Sequence, residues 1–185
     1  MEYVKQKRIK LLLVINLISL AGYYTFAPLY ALFAHGFGID AKTISLIWSG
    51  YSLITAILIL LMGKIENKLK KGRMIILGYF IYALGALAFL LVHNETSLLF
   101  VLAFNAVGAG ITLPAYKTMF AKNEAKGKES EQWSWLDAGN MFAAALGAAI
   151  GGIIIGFFGF PGLFITMASV QLVAAVIAYQ TFYNE

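Results

Sequence analysis

Apolar residues fill almost the whole chain in six long stretches, and polar residues collect in the short gaps between them. A helix of about 20 apolar residues, rising ~1.5 Å per residue, crosses the ~30 Å hydrocarbon layer of a bilayer. Because backbone groups find no water there, such stretches form helices. Six stretches qualify: 11–34, 43–62, 74–92, 97–121, 135–158 and 162–182. The pattern predicts an all-α integral membrane protein, with six transmembrane helices forming a single domain over 1–185.

Basic residues occupy every second gap, which predicts how the chain is oriented. They precede the first stretch and follow the second and the fourth, at Lys5, Lys7, Arg8, Lys10, Lys64, Lys68, Lys70, Lys71, Arg73, Lys122, Lys126 and Lys128. The remaining gaps hold only Lys42. Since Lys and Arg accumulate in cytoplasmic loops, both termini are expected on the cytoplasmic side of the cell membrane. This distribution accounts for the net charge of +5 without a nucleic-acid partner; the expected surroundings are the lipid bilayer.

The residue inventory argues against an enzyme. Cysteine is absent from the sequence, so it offers no thiolate nucleophile and no thiolate metal ligand. Neither a zinc-protease HExxH, nor a phosphate-binding glycine loop, nor a GxSxG nucleophile motif is present. We expect no enzymatic activity, no metal and no cofactor.

The first and fourth stretches share distinctive residues at a constant offset of 86. Gly22 aligns with Gly108, Pro28 with Pro114, and Tyr30 with Tyr116. This alignment predicts two three-helix repeats, at about 11–92 and 97–182. Because three is odd, the second repeat is inserted upside down, which gives the inverted 3+3 arrangement of many transporters. The two prolines are expected to kink helices that line a cavity.

The fifth stretch carries small residues at every fourth position. Gly139, Ala143, Gly147 and Gly151 follow this spacing, and Gly152 lies beside the last of them. Small residues at this spacing form a groove in which a neighbouring helix packs closely. We expect tight helix packing here, on a surface that also moves during transport.

Polar and aromatic side chains inside the stretches suggest a ligand cavity. On the first stretch, Asn16, Ser19 and Tyr23 follow helical spacing and share one face. Such groups bind a neutral or aromatic small molecule, or a cation through ring contact. The alternative for each residue is a helix–helix hydrogen bond or an interfacial aromatic belt. The full set of candidates is Asn16, Ser19, Tyr23, Tyr24, Tyr51, Ser52, Thr55, Asn105, Thr112 and Asn140.

The six stretches and the loop after the second resemble one half of a major facilitator superfamily transporter. That family's loop motif, Gly-x-x-x-Asp-Arg-x-Gly-Arg, is matched in degenerate form by Gly63, Glu66, Asn67, Lys68, Gly72 and Arg73. Asn67 replaces the acidic residue, and the final Gly-Arg pair comes two residues late. The resemblance implies a gating role for this loop. Lys117 and Asp137, near the same membrane boundary, are expected to pair with each other or with the loop.

Two further motifs bear on the direction of transport. The family's fifth-span motif, Gly-x-x-x-Gly-Pro-x-x-Gly-Gly, corresponds here to Ala143, Gly147, Ala148, Gly151 and Gly152. It is typical of exporting members, which favours efflux. The family's fourth-span Arg is replaced by Phe104, so proton coupling through that residue is not expected.

A single six-helix bundle presents an open face where the full-length family encloses a path between two bundles. We therefore expect a homodimer that moves a small-molecule substrate by alternating access. Three alternatives stay open: a different half as partner, a fragment of a twelve-span protein, or a non-transporting assembly or receptor protein with this fold.

Overall fold

The computed structural model describes residues 2–65 and 69–183, and these ranges contain helices and no strand. Lipid offers no hydrogen-bond partners, so the backbone N–H and C=O groups of these apolar runs are paired within each helix. The elements are α1 (Glu2–Tyr24), a 3₁₀ turn (Ala27–Leu29), α2 (Tyr30–His35), α3 (Ala41–Ile65), α4 (Lys71–Ala88), a second 3₁₀ turn (Phe89–Leu91), α5 (Glu95–Asn123) and α6 (Glu129–Phe182).

Five helical segments of the described chain are long and apolar enough to cross a membrane. The last of them, α6, has 54 residues, whereas ~20 residues suffice to cross a bilayer. Two helices meet within it at Gly159, whose backbone is non-helical (φ 64°, ψ −170°). A positive φ favours glycine because it has no Cβ. We call residues 129–158 the first arm of α6 and residues 160–182 its second arm; the fifth and sixth predicted stretches lie in these arms.

The two prolines of the aligned stretches lie in different local structures. Pro28 lies in the 3₁₀ turn between α1 and α2, at a position where its missing N–H leaves no hydrogen bond unmade. Pro114 lies inside the single helix α5. The chain therefore breaks at the first proline, whereas α5 runs on to Asn123 past the second.

Side chains in the connecting segments fix where α3 and α5 begin. The Asp40 carboxylate accepts hydrogen bonds from the backbone N–H groups of Lys42 (2.9 Å) and Thr43 (3.1 Å) and from the Thr43 hydroxyl (2.8 Å). These bonds favour the charged form, so they lower the pKa of Asp40. Asn94 caps α5 by accepting from the backbone N–H of Ser97, at 2.8 Å.

Two apolar clusters hold the helices together at the two ends of the bundle. The Phe26 cluster contains Phe26, Phe33, Phe89 and Phe164; the rings of Phe89 and Phe164 stack with centroids 5.1 Å apart. The Leu12 cluster contains Leu12, Ile75, Phe120 and Phe182, all fully buried. Along α1, α4 and the second arm of α6, the segment between the two clusters carries polar side chains. That middle layer holds the candidate site.

The small residues of the first arm of α6 face α1. A Cβ added at Gly139 would lie 2.8 Å from the side chain of Leu17, and one at Gly147 would lie 2.5 Å from the carbonyl oxygen of Ala21. A Cβ at Gly151 would overlap the carbonyl oxygen of Thr25. Ala143 is buried in the same row. The two backbones thus approach closely, as the spacing predicts.

Two helical segments leave most of their surface uncovered. Within α3 only Ile44 and Ile47 are buried, and the first arm of α6 is largely exposed away from α1. The large exposed apolar residues on these two surfaces are Leu46, Leu53, Ile57, Leu60, Leu61 and Ile65 of α3 and Trp135, Met141, Phe142, Leu146, Ile150, Ile153, Phe157 and Phe158 of α6.

Adding one methyl group to either of two adjacent glycines tests the contact between α6 and α1. We expect Gly151→Ala to destabilise the bundle by about 1–3 kcal/mol, because the methyl group would overlap the backbone of Thr25. Thermal unfolding in detergent micelles, followed by circular dichroism, measures this as a lower midpoint.

Gly152→Ala is the matched control, since no atom lies within 4 Å of its added Cβ. It should leave the midpoint unchanged or raise it, because alanine favours the helix over glycine by ~1 kcal/mol. Equal midpoints for the two variants would contradict the close contact.

Candidate functional site

A cavity of about 210 Å³ lies in the polar layer between the Phe26 and Leu12 clusters. All five long helical segments contribute to its wall. The lining residues are Asn16, Ser19, Leu20 and Tyr23 of α1, Tyr51 and Thr55 of α3, Tyr79 and Tyr82 of α4, Ala109, Thr112, Leu113 and Tyr116 of α5, and Gln171 of α6.

Six of the ten residues predicted from the sequence line this cavity: Asn16, Ser19, Tyr23, Tyr51, Thr55 and Thr112. The α1 members follow helical spacing and share the face that lines the cavity. Thr55 and Thr112 each donate to the carbonyl oxygen four residues earlier, at 2.8 Å. These bonds satisfy the hydroxyl protons within the helices.

The other four predicted residues lie outside the cavity wall. Asn140 accepts a 2.6 Å hydrogen bond from the side chain of Asn16 and so holds that side chain in the cavity wall. Tyr24 packs against Gly147 of the first arm of α6. Ser52 is exposed and donates to the carbonyl oxygen of Trp48, at 3.0 Å. Asn105 donates to the carbonyl oxygen of Val101, at 2.8 Å, and lies against Gly85.

Four polar lining residues were missed in the sequence. Tyr79 and Tyr82 are three residues apart on α4, so they share a helix face. Tyr116 aligns with Tyr30 in the proposed repeat, which does not indicate a cavity. Gln171 is an amide at the middle of the stretch 162–182, and a strongly polar group deep inside a membrane span signals a function. That signal was present for Gln171.

Ser19 and Gln171 join α1 to the second arm of α6 across the cavity wall. The Ser19 hydroxyl donates to the Gln171 side-chain carbonyl oxygen (2.8 Å), and the Gln171 amide donates to the Ser19 backbone carbonyl oxygen (2.9 Å). Both residues are buried, with 8% and 4% of their surface exposed. Because both residues are buried, breaking either bond would leave a buried polar group without a partner, so the pair fixes how the two helices are turned toward each other.

The chemistry of the wall is that of rings and neutral hydrogen-bonding groups. Five tyrosines line it, together with amide and hydroxyl side chains, and no lining residue is charged. The Tyr116 hydroxyl donates to the carbonyl oxygen of Leu12, at 3.3 Å. Aromatic faces stack on flat rings and attract cations, while the amide and hydroxyl groups orient polar atoms of a ligand. The wall thus suits the binding of a flat ring or a cation, with polar atoms held by the amide and hydroxyl groups.

The segment matched to the loop motif is described in part. Glu66, Asn67 and Lys68 lie outside the described residues, and Gly63 is exposed near the end of α3. Gly72 packs directly on the backbone of Phe182. Arg73 lies over the ring of Tyr183, 4.9 Å from its centroid, and donates to the Tyr183 carbonyl oxygen (3.4 Å). The start of α4 is therefore tied to the end of α6.

Lys117 and Asp137, which the sequence placed near the same boundary, are both exposed. Lys117 is on α5 and Asp137 is on the first arm of α6. The described residues form no ion pair between these two side chains.

Comparison with known proteins gives consistent matches. The family model of the Major Facilitator Superfamily matches residues 12–184. The riboflavin transporter RibZ of Clostridioides difficile is 30% identical over 149 residues, which cover 78% of this chain and 32% of that protein. The methyl viologen resistance protein SmvA of Salmonella typhimurium is 27% identical over 127 residues, covering 66% of this chain and 25% of that protein.

The fold has a counterpart among solved structures. The POT family transporter PepTSo superposes with a TM-score of 0.76 at 15% sequence identity, covering 94% of this chain and 37% of that one. The chain thus spans about a third of RibZ and a quarter of SmvA.

The Ser19–Gln171 pair makes a testable prediction about stability. Ser19→Ala removes the donor to the Gln171 carbonyl oxygen and leaves that oxygen buried without a partner, which costs about 1–3 kcal/mol. We expect the double variant Ser19→Ala/Gln171→Leu to be more stable than Ser19→Ala alone, because the leucine removes the orphaned oxygen. The midpoint of thermal unfolding in micelles measures both effects; strictly additive changes would contradict the pairing.

Proposed function

Because the chain belongs to the major facilitator superfamily, we propose that it moves a small organic solute across the membrane by alternating access, as a symmetric pair of bundles. The observation that carries this proposal is the uncharged cavity lined by five tyrosines. The family places the chain among transporters rather than enzymes, and its apolar helices place it in a bilayer as a multi-pass protein.

The pairing of two copies rests on which surfaces are uncovered. Tyr51 and Thr55 of α3 line the cavity, while Leu53 and Ile57 on the same helix are exposed. The first arm of α6 is the other weakly buried segment. In a pair related by a twofold axis along the membrane normal, α3 of each copy packs on the first α6 arm of the other. The two cavities then face each other and enclose one path.

We propose six spans in two inverted repeats, about 11–92 and 97–182, with Gly159 as the joint between the fifth and sixth spans. Equivalent contacts support the repeat. Gly22 of the first span packs on Val170 of the sixth, and its counterpart Gly108 of the fourth packs on Tyr82 of the third. Likewise Gly147 packs on Tyr24, and Gly110 on Leu58, which joins the fourth span to the second.

The orientation follows from the distribution of charge. Lys and Arg are concentrated at the start of α1, around Lys70 and Lys71, and between α5 and α6. The segment between α2 and α3 holds none, and Lys42 lies at the start of α3. We propose that the basic end faces the cytoplasm and that the protein resides in the cell membrane.

The solute that suits this wall is a flat aromatic molecule, neutral or cationic. Tyrosine rings supply stacking and cation–π contacts, and the side chains of Asn16 and Gln171 supply hydrogen bonds. Riboflavin and methyl viologen, which appear in the names of two relatives, both contain flat aromatic rings. The name of the resistance protein and the glycine-rich row of α6 favour export.

A different bundle as partner, or a non-transporting protein with this fold, is the alternative. A different bundle would pack on the same exposed surfaces of α3 and the first α6 arm. The second is favoured by Phe104 at the position of the family's fourth-span Arg. The two experiments below separate these alternatives.

Cross-linking tests the pair directly, because the sequence has no native cysteine. We place one cysteine at Leu53 of α3 in one tagged copy and one at Ala145 of α6 in another, since both positions are exposed and lie near the middle of their spans. Oxidation in native membranes should give a disulfide between differently tagged copies, which requires Cβ atoms within about 4.5 Å.

Cysteines at neighbouring positions on α3 and on the first arm of α6 test other alignments of the two helices. Leu84 of α4 and Leu172 of the second α6 arm are exposed control positions outside the proposed interface. No disulfide in any register, or equal yields for the control pair, would rule out the symmetric pair and direct the search to a different partner.

Solute flux tests the cavity independently of the interface. Reconstituted protein should bind and carry riboflavin or methyl viologen saturably, and Tyr23→Ala should weaken binding about twofold to thirteenfold through the loss of one ring contact of about 0.5–1.5 kcal/mol. Tyr23→Phe keeps the ring and should retain most of the affinity. Phe100→Ala is the control, because it removes an exposed ring outside the cavity.

Equal binding by Tyr23→Ala and the control would show that the solute binds elsewhere. A cross-linked pair that shows no saturable binding or flux of either compound would overturn the proposal of an aromatic solute. The proposed dimer would be unaffected. Absence of both cross-link and flux would favour a non-transporting role.

A further inference from the structure

A second cavity, of about 360 Å³, lies at the end of the bundle where α1 and α6 begin. It is separate from the tyrosine-lined cavity, and the two share no lining residue. Its wall is formed by Gln6, Ile9, Lys10 and Leu13 of α1, by Lys128, which precedes α6, and by Glu131, Gln132 and Trp135 of the first α6 arm.

Polarity changes with depth along both helices. On α1 the lining changes from the polar Gln6 and Lys10 to the apolar Leu13. Beside α1 it changes from Lys128 to Trp135. Seven residues of helix rise about 10 Å. The cavity thus has Gln6 and Lys128 at its mouth and Leu13 and Trp135 about 10 Å further into the bundle, with Lys10 about 4.5 Å before Leu13. A phospholipid has the same sequence of groups, from charged headgroup to acyl chain.

The charges at the mouth favour an anion. Lys10 and Lys128 are exposed, and neither side chain forms an ion pair or hydrogen bond with the described residues. Glu131 is the opposing charge, so the lining carries a net charge of +1. Gln132 uses its side-chain oxygen to accept from the backbone N–H of Ala125, at 3.0 Å, which leaves its amide group able to donate.

Trp135 places an indole ring at the rim of this cavity, at the basic end of the first α6 arm. Its side chain is 65% exposed, although it is the largest apolar group of the wall. Tryptophan in such a position lies at the level of the lipid headgroups, with its ring against the upper acyl chain. Ile9 behind it is buried and closes the floor of the cavity.

We propose that this cavity binds one anionic phospholipid, with its phosphate between Lys10 and Lys128 and an acyl chain along Leu13 and Trp135. Basic pockets between transmembrane helices bind anionic headgroups in this way. The site does not depend on the proposed transport activity, since none of its residues lines the tyrosine cavity.

Quenching of Trp135 by brominated lipids tests the site in vesicles. Replacing Trp48 and Trp133 by Phe leaves Trp135 as the single reporter. Brominated phosphatidylglycerol should quench it at lower mole fraction than brominated phosphatidylcholine or phosphatidylethanolamine. Lys10→Gln/Lys128→Gln should lower the preference for phosphatidylglycerol about 25-fold, or about fivefold for each lysine near the surface.

Lys122→Gln/Lys126→Gln is the matched control, because it removes two exposed lysines from the same end of the bundle outside the cavity. It should leave the preference unchanged. Native mass spectrometry of the chain with all three tryptophans, counting retained phosphatidylglycerol, gives a second readout that needs no tryptophan replacement.

Four results would overturn the proposal. Equal quenching by the three lipids would indicate ordinary annular lipid, and a preference for phosphatidylethanolamine would exclude an anionic headgroup. Displacement of the lipid by glycerol 3-phosphate would assign the lysines to a soluble phosphate. Equal losses in the two double-lysine variants would indicate the charge of the whole surface rather than this cavity.

Discussion

The close backbone contact between α1 and the first arm of α6 is the constraint on which the rest of the bundle depends. Lipid tails are as apolar as leucine, so helices in a bilayer gain little from burying apolar surface against each other. They gain instead from dispersion contacts, which require close approach. Gly147 and Gly151 allow α6 to reach the backbone of Ala21 and Thr25. This contact fixes α1, and α1 supplies one wall of the cavity.

Polar bonds then set the rotation of the helices that close packing brings together. The Asn16–Asn140 bond joins α1 to the first arm of α6, and the Ser19–Gln171 bonds join it to the second arm. With α1 held on both sides, Tyr23 lies on the cavity face. The two apolar clusters seal the layers above and below. The cavity therefore forms because apolar residues pack the two ends of the bundle while polar residues line its middle.

The sequence predicted an all-helical chain with helices long enough to cross a membrane, because long apolar stretches have one solution in a bilayer. It could not predict that Pro28 separates two helices while Pro114 lies within one, since both occur in equally apolar surroundings. Within the site, Asn16, Ser19 and Tyr23 were predictable from helical spacing on one span. Tyr79, Tyr82 and Gln171 were missed because the direction they face depends on how α4 and α6 pack against other helices, which spacing within one span does not define.

The uncharged wall of the tyrosine cavity has an electrical consequence. Moving one elementary charge across a membrane potential of 100 mV involves about 2.3 kcal/mol. None of the residues lining the cavity carries a charge, so a bundle that rocks with this cavity empty moves no lining charge through the field. The voltage across the membrane would then act on the transport cycle through the solute's own charge. Under the proposed transport, a neutral solute would cross without regard to the potential, whereas export of a cation would run against a potential that is negative on the cytoplasmic side.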